Sequence, residues 1–213
     1  MDFIAKEIEE YALNHTKAES DLLKKINRET HAKIMMPRML SGHLQGRFLS
    51  MISHMVKPDY ILEIGTYTGY SALCLAEGLK ENGKIITIDI NEEIEKFVRN
   101  FFEQSLYKNK IDYRIGNALD IIPAIEYQLD MVFIDADKEN YTAYYDLVFE
   151  KVKTGGYIIA DNVLWSGKVL MDDNKLDKDT KAIKAFNDKI QNDSRVENIL
   201  LPVRDGLMIC RKK

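Results

Sequence analysis

The chain has 213 residues, 46% of them hydrophobic, enough apolar material for one substantial domain with a buried core and too much for general disorder. Its 30 Lys and Arg against 34 Asp and Glu leave a formal charge of -4 with no long basic segment, which argues against nucleic acid as a partner. No stretch approaches the roughly 18 apolar residues of a membrane span, and the opening Met1-Asp-Phe-Ile-Ala-Lys-Glu-Ile-Glu-Glu10 lacks a basic leader followed by an apolar run. The two cysteines, Cys74 and Cys210, lie in segments that read as helix and strand. Buried thiols are therefore expected rather than a disulfide scaffold, and a cytoplasmic location follows as the expectation.

In chain order, residues 1–57 carry helical spacing with breaks: Ile4, Ile8 and Tyr11 mark one face, and Met51, Ile52, Met55 and Val56 another. Between them Met35-Met-Pro-Arg-Met-Leu-Ser-Gly42 contains Pro37 and Gly42 and reads as a loop before the next helix. The stretch is expected to be a helical N-terminal cap integral to the domain, whose methionines either cover a ligand or fill core gaps. From residue 58 strands and helices alternate. Residues 60–64 read as a strand, followed by a glycine turn and a helix over 70–79. A strand over 84–89 precedes a helical stripe of Ile94, Phe97, Val98, Phe101 and Phe102. A third strand over 110–115, a short helix over 117–125 interrupted near Pro123, and a strand over 130–134 lead to a helix with Tyr141, Tyr144, Tyr145, Val148 and Phe149 inward. Gly155-Gly156 introduces a fifth strand over 157–160, and the polar stretch 172–179 reads as a surface loop before a helix carrying Ile183, Phe186 and Ile190. Strands over 196–201 and 207–210, joined through Pro202 and Asp205-Gly206, form a hairpin, so the sheet is mixed at that edge. The pattern predicts an α/β core over residues 58–213: a doubly wound, Rossmann-like, seven-stranded mixed sheet that binds ligands at the carboxyl ends of its strands.

Three polar insertions fall where those buried strands should meet solvent: Glu63-Ile-Gly-Thr-Tyr-Thr-Gly69, Phe133-Ile-Asp-Ala-Asp-Lys138 and Ala160-Asp-Asn162. Gly65 and Gly69 let the chain turn closely around a ligand ahead of a helix, but their spacing is not G-x-G-x-x-G, which weakens a pyrophosphate clamp. Asp89 ends the next strand, placed to accept hydrogen bonds from ribose hydroxyls. Asp135 and Asp161 end separate strands, and Asn162 adds a neutral oxygen. That oxygen-rich trio suits a hard divalent cation, Mg2+ first, with Ca2+ or Mn2+ open. His15, His31, His43 and His54 form no metal-binding pattern.

In this order, the motifs resemble the class I S-adenosylmethionine-dependent methyltransferases, and more narrowly the divalent-metal-dependent O-methyltransferases of the caffeoyl-CoA and catechol O-methyltransferase type. The resemblance runs from Met39-Leu-Ser-Gly-His-Leu-Gln-Gly46 to Leu200-Leu-Pro-Val-Arg-Asp-Gly-Leu-Met-Ile-Cys210. Its most specific parts are Leu62-Glu-Ile-Gly-Thr-Tyr-Thr-Gly-Tyr-Ser71, Val132-Phe-Ile-Asp-Ala-Asp-Lys-Glu-Asn-Tyr141 and Ala160-Asp-Asn-Val-Leu-Trp-Ser-Gly167. It implies that Glu63, Gly65, Gly69 and Ser71 shape the methionine and ribose side of an S-adenosyl-L-methionine pocket, with Asp89 on the ribose. Gly116, Asn117 and Ala118 then lie near the adenine, and Met39 and Ser41 form a front wall. Asp135 is assigned to both cofactor and metal, Asp161 and Asn162 to the metal, and Lys138 to proton transfer at the substrate oxygen. Trp165 becomes an aromatic wall for a planar acceptor. On the residues alone, Ser71 also reads as a satisfied helix residue, Lys138 as a solvated first-turn residue, Asp137 as a helix cap and Trp165 as packing.

The implied reaction is metal-assisted, direct transfer of a methyl group to one hydroxyl of a catechol-like ortho-dihydroxy aromatic, free or as a CoA thioester. The implied assembly is a homodimer. Two other readings stay open at this level: a nicotinamide-dependent oxidoreductase, which the missing dinucleotide fingerprint disfavours, and a non-enzymatic ligand-binding protein.

Overall fold

A computed structural model describes residues 4–213; the first three residues of the expected cap lie outside the described residues. Helices α1 (Lys6–Asn14), α2 (Asp21–Lys33) and α3 (Gly42–Val56) precede strand β1 (Tyr60–Ile64), helix α4 (Tyr70–Ala76) and strand β2 (Lys84–Asp89). Helix α5 (Glu95–Gln104), strand β3 (Ile111–Ile115), the single turn α6 (Ala118–Ile121), strand β4 (Leu129–Ile134) and helix α7 (Tyr141–Phe149) follow. Strand β5 (Val152–Asp161), helix α8 (Lys178–Gln191) and strands β6 (Val196–Leu201) and β7 (Leu207–Lys212) complete the order. The seven strands form one mixed sheet in the order β3-β2-β1-β4-β5-β7-β6, the α/β architecture expected. By contacts the chain divides into two compact units, residues 7–117 and residues 118–213.

In the first unit, β1, β2 and β3 are parallel neighbours, with Tyr60 opposite Lys84 and Ile85 opposite Ile111. Ser20 caps α2 by accepting the Leu23 N–H at 3.3 Å. The α5 stripe buries Val98, Phe101 and Phe102, each worth about 1.5–3 kcal/mol of apolar burial. Helix α4 buries all seven of its residues. It stops at Ala76 rather than near residue 79 because the chain there meets α3: a β-carbon on Gly78 would lie 2.2 Å from the Ser53 carbonyl carbon. Ser53 Oγ also donates to Leu75 O at 2.6 Å.

In the second unit, β4 and β5 are parallel, while β7 pairs antiparallel with β5 on one side and β6 on the other. The α7 stripe is buried at all five expected positions. Strand β5 begins at Val152, five residues before the expected start. Gly155 and Gly156 lie inside it, at a register shift: Leu129 faces Val152 and Met131 faces Tyr157, so β5 advances five residues where β4 advances two and the strand accommodates three extra residues there. The polar stretch before α8 holds a 3-10 turn, Asp173–Lys175, and Asp177 caps α8 by accepting the Thr180 N–H at 2.8 Å. Cys74 and Cys210 are free and buried, and no helix among the described residues is long and apolar enough to cross a membrane.

Candidate active site

Parallel register decides where the polar insertions of the first unit lie. Glu63 stands opposite Thr87 and Ile64 opposite Ile88, so the turn leaving β1 runs beside the end of β2. There Gly65 and Thr66 donate their N–H groups to Ile88 O at 2.9 and 3.2 Å, and Tyr67 N–H donates to Asp89 Oδ2 at 2.6 Å. Gly65 and Gly69 have φ of 102° and 82° around a left-handed Tyr67 at 46°, a path that requires the glycines. A β-carbon on Gly69 would also lie 2.6 Å from the Phe102 ring. Asp89 Oδ1 accepts the Asn91 N–H at 2.8 Å. Burial raises the Asp89 pKa above its ordinary 3.8, opposed by the backbone N–H groups of Asn91, Tyr67, Ile90 and Thr66.

Glu63 is fully buried; Thr87 donates its hydroxyl to Glu63 Oε2, and the Thr66 and Thr87 hydroxyls lie 2.5 Å apart. Gly116, with φ of 148°, donates its N–H to Asp89 O at 2.8 Å; Asn117 follows, and Ala118 opens α6. Ser71 is buried in the first turn of α4, and Ser41 is buried just ahead of α3. Met39 is half exposed in the 3-10 turn Pro37–Met39. The Tyr67 hydroxyl reaches the segment before that turn, donating to Met35 O and Met36 O at 3.1 and 3.2 Å. Residue spacing gave no sign of this tether, because Tyr67 reads as the filler of a glycine turn.

In the second unit, Ile134 stands opposite Ala160, so Asp135 and Asp161 leave neighbouring parallel strands at the same level. Between these strand ends lies an ammonium group. Lys138 Nζ donates to Asn162 Oδ1 at 2.8 Å, to Asp135 Oδ1 at 3.2 Å and to the Tyr141 hydroxyl at 2.6 Å. Lys138 is only 8% exposed, so it is not the solvated first-turn residue that its position alone suggests. Tyr141 OH in turn donates to Asp161 O at 3.0 Å. Burial, with the charges of Asp135 and Asp161 behind it, drives the Tyr141 pKa well up, so the phenol stays a proton carrier toward Asp161 O and an acceptor toward Lys138. Sequence reading had Tyr141 only as core.

Asp137 stands at the N-cap position of the following turn but its side chain makes no capping bond; its two oxygens accept from Tyr144 OH and Asn140 Nδ2, each at 2.5 Å. Asn162 has φ of 58°, and its N–H donates to Asp161 Oδ1 at 2.7 Å. The loop continues through Trp165 at 46° and Ser166 at 54°, non-glycine residues in a region that costs about 1–3 kcal/mol each. The Trp165 ring centre lies 5.6 Å from Lys138 Nζ. Among the described residues no three His, Cys, Asp or Glu side chains gather as a metal-binding group. The trio at issue is different, two carboxylates and an amide oxygen. Two of its members, on Asp135 and Asn162, already converge on one positive charge, so the donor set fits a hard cation.

Comparison with known proteins identifies the family. Residues 13–213 match the O-methyltransferase family. Caffeoyl-CoA O-methyltransferase 1 of Arabidopsis thaliana is 37% identical over 196 residues, covering 87% of this chain and 76% of the plant protein. Caffeoyl-CoA O-methyltransferase of Medicago sativa is 36% identical, covering 87% and 79%. The O-methyltransferase from Bacillus cereus, solved in complex with SAH, superposes with a TM-score of 0.90 at 29% identity and covers 97% of each chain. These matches set aside the nicotinamide-dependent and non-enzymatic readings.

Proposed function

Because the chain belongs to the O-methyltransferase family, as a class I S-adenosylmethionine-dependent enzyme of the caffeoyl-CoA O-methyltransferase type, we propose that it methylates one hydroxyl of a catechol-like ortho-dihydroxy aromatic. The observation that carries this reading is the register placing Asp135 beside Asp161, with Lys138 Nζ hydrogen-bonded to both Asp135 and Asn162.

On this reading Asp135, Asp161 and Asn162 hold a divalent cation, Mg2+ before Mn2+ or Ca2+, which supplies a Lewis acid that lowers a hydroxyl pKa and favours the oxygen anion. Lys138, entering the reaction as the neutral amine, takes the acceptor proton onto Nζ, and the Tyr141 hydroxyl accepts a hydrogen bond from the ammonium that results. Trp165 faces the planar ring. Asp89 accepts from the ribose hydroxyls of S-adenosyl-L-methionine, whose sulfonium carries the methyl. Gly65 and Gly69 admit the donor close to the backbone, Glu63 and Ser71 bind its methionine end, and Met39 and Ser41 wall the sulfonium. Gly116, Asn117 and Ala118 line the adenine, and Asp135 serves the donor as well as the cation. The acceptor oxygen attacks the methyl carbon as the sulfur–carbon bond breaks, leaving S-adenosylhomocysteine. Alignment of two such reactants removes about 7–11 kcal/mol from a barrier in favourable cases.

The relatives' names support a CoA thioester as one form of the acceptor. Residues 1–57 act as a helical cap integral to the domain, the assembly is a homodimer, and the free thiols suit a reducing cytoplasm. The test is labelled-methyl transfer to ortho-diols with and without Mg2+, beside matched compounds lacking one hydroxyl. Transfer is expected only to the diols and only with the cation; equal transfer to the monohydroxy compounds overturns the acceptor class.

A further inference from the structure

The connection leaving β5 holds four left-handed residues within six positions: Asn162, Trp165, Ser166 and Gly167, the last with φ of 79°. For tryptophan and serine this conformation is sterically unfavourable, so it persists only where surrounding groups hold it. The β6–β7 turn does the holding. Antiparallel pairing sets Asp161 opposite Leu207, which brings Asp205 and Gly206 alongside the loop. Val163 N–H donates to Gly206 O at 3.2 Å and Leu164 N–H to Asp205 O at 2.9 Å. The Asp205 carboxylate then reaches further along, accepting the Ser166 N–H on Oδ1 at 2.5 Å, a charge-assisted bond. Gly206, at φ of 87°, fits closely enough that a β-carbon would lie 2.5 Å from Leu164 Cγ. From α8, Asn187 Nδ2 donates to Val163 O at 2.8 Å.

We propose that Asp205 is a positioning residue for the acceptor half of the site: by holding the Ser166 N–H it fixes the strained loop, and through the loop the Trp165 ring and the Asn162 amide oxygen. Both groups contact Lys138, the ring at 5.6 Å and the amide oxygen by hydrogen bond, so a loop that relaxes alters the surroundings of the proton-transfer group. The catalytic consequence rests on the proposed methyl transfer; the conformational one does not.

Trp165 is the only tryptophan in the chain, so its emission reports on the loop without a label. Asp205→Ala is expected to red-shift that emission, lower its anisotropy and raise the acceptor KM about tenfold with a smaller change in kcat. The Kd for S-adenosyl-L-methionine is expected to stay within about twofold. Asp205→Asn, which keeps an oxygen for the Ser166 N–H, restores both emission and KM. Should Asp205→Ala fail to fold, Asp205→Ser carries the test, since its shorter side chain falls short of the Ser166 N–H and is expected to shift the emission in the same way. Unchanged emission and anisotropy in the folded variant, or an Asp205→Asn protein as impaired as Asp205→Ala, overturns the proposal. A wild-type protein that transfers no methyl to ortho-diols defeats the functional reading alone, and the emission experiment still decides the role of Asp205.

Discussion

Lys138 satisfies three acceptors with one ammonium group while almost wholly buried, a fixed geometry that suits the proposed proton-transfer role. Lys138→Ala is expected to lower the single-turnover rate by about 10²–10⁴-fold, with S-adenosyl-L-methionine affinity unchanged in titration calorimetry. Asp89 offers a second test, with opposite signs for folding and binding. Burial raises its pKa, so its contribution to stability is full below the ordinary value and is lost as pH rises through the raised one. Ribose hydroxyls need the ionised acceptor, so affinity for S-adenosyl-L-methionine is expected to increase over that same window, from about pH 4 upward, and Asp89→Ala to lose the dependence. The placement of Asp135 and Asp161 at neighbouring strand ends was legible in sequence because each carboxylate directly follows an apolar run. The contacts of Lys138 were not, because they depend on a side-chain direction, nor was Asp205, whose partner Ser166 is 39 positions away.

Elements were legible where local pattern and tertiary contact agree. The β1 and β2 strands fall on the expected residues, and the α7 stripe is buried throughout. They were misread where a glycine acts through a distant neighbour. The α4 pattern continues toward residue 79, but contact of Gly78 with the α3 backbone ends the helix at Ala76. Gly155-Gly156 looks like a turn, yet the pair sits inside β5 at a register shift. Substitution separates the two cases. Gly78→Ala forces a methyl into backbone and is expected to cost about 1–3 kcal/mol or more in urea unfolding. Gly155→Ala meets nothing within 4 Å and carries only the strain of φ at 81°, about 1–2 kcal/mol.

For the whole molecule, the proposed donor residues other than Ala118 and Asp135 belong to the unit 7–117, and the proposed cation and acceptor residues to the unit 118–213. Asp161→Ala is accordingly expected to weaken Mn2+ binding by about tenfold or more while the Kd for S-adenosyl-L-methionine stays within about twofold, and Asp89→Ala to do the reverse. Binding titrations of both ligands with both variants check this; coupled loss in either variant contradicts the division. Burial pushes the Cys74 and Cys210 thiols up to about 12, so both are expected to resist a thiol reagent near about pH 8 in the folded protein and to react after urea. The order of the last strands bears on biosynthesis. A ribosome delivers β5, then β6, and only afterwards β7, the strand that belongs between them. While β7 is still untranslated, the nascent chain presents an open β5 edge whose nearest available neighbour in the sequence is the wrong one, so chaperone demand should concentrate at that stage of translation.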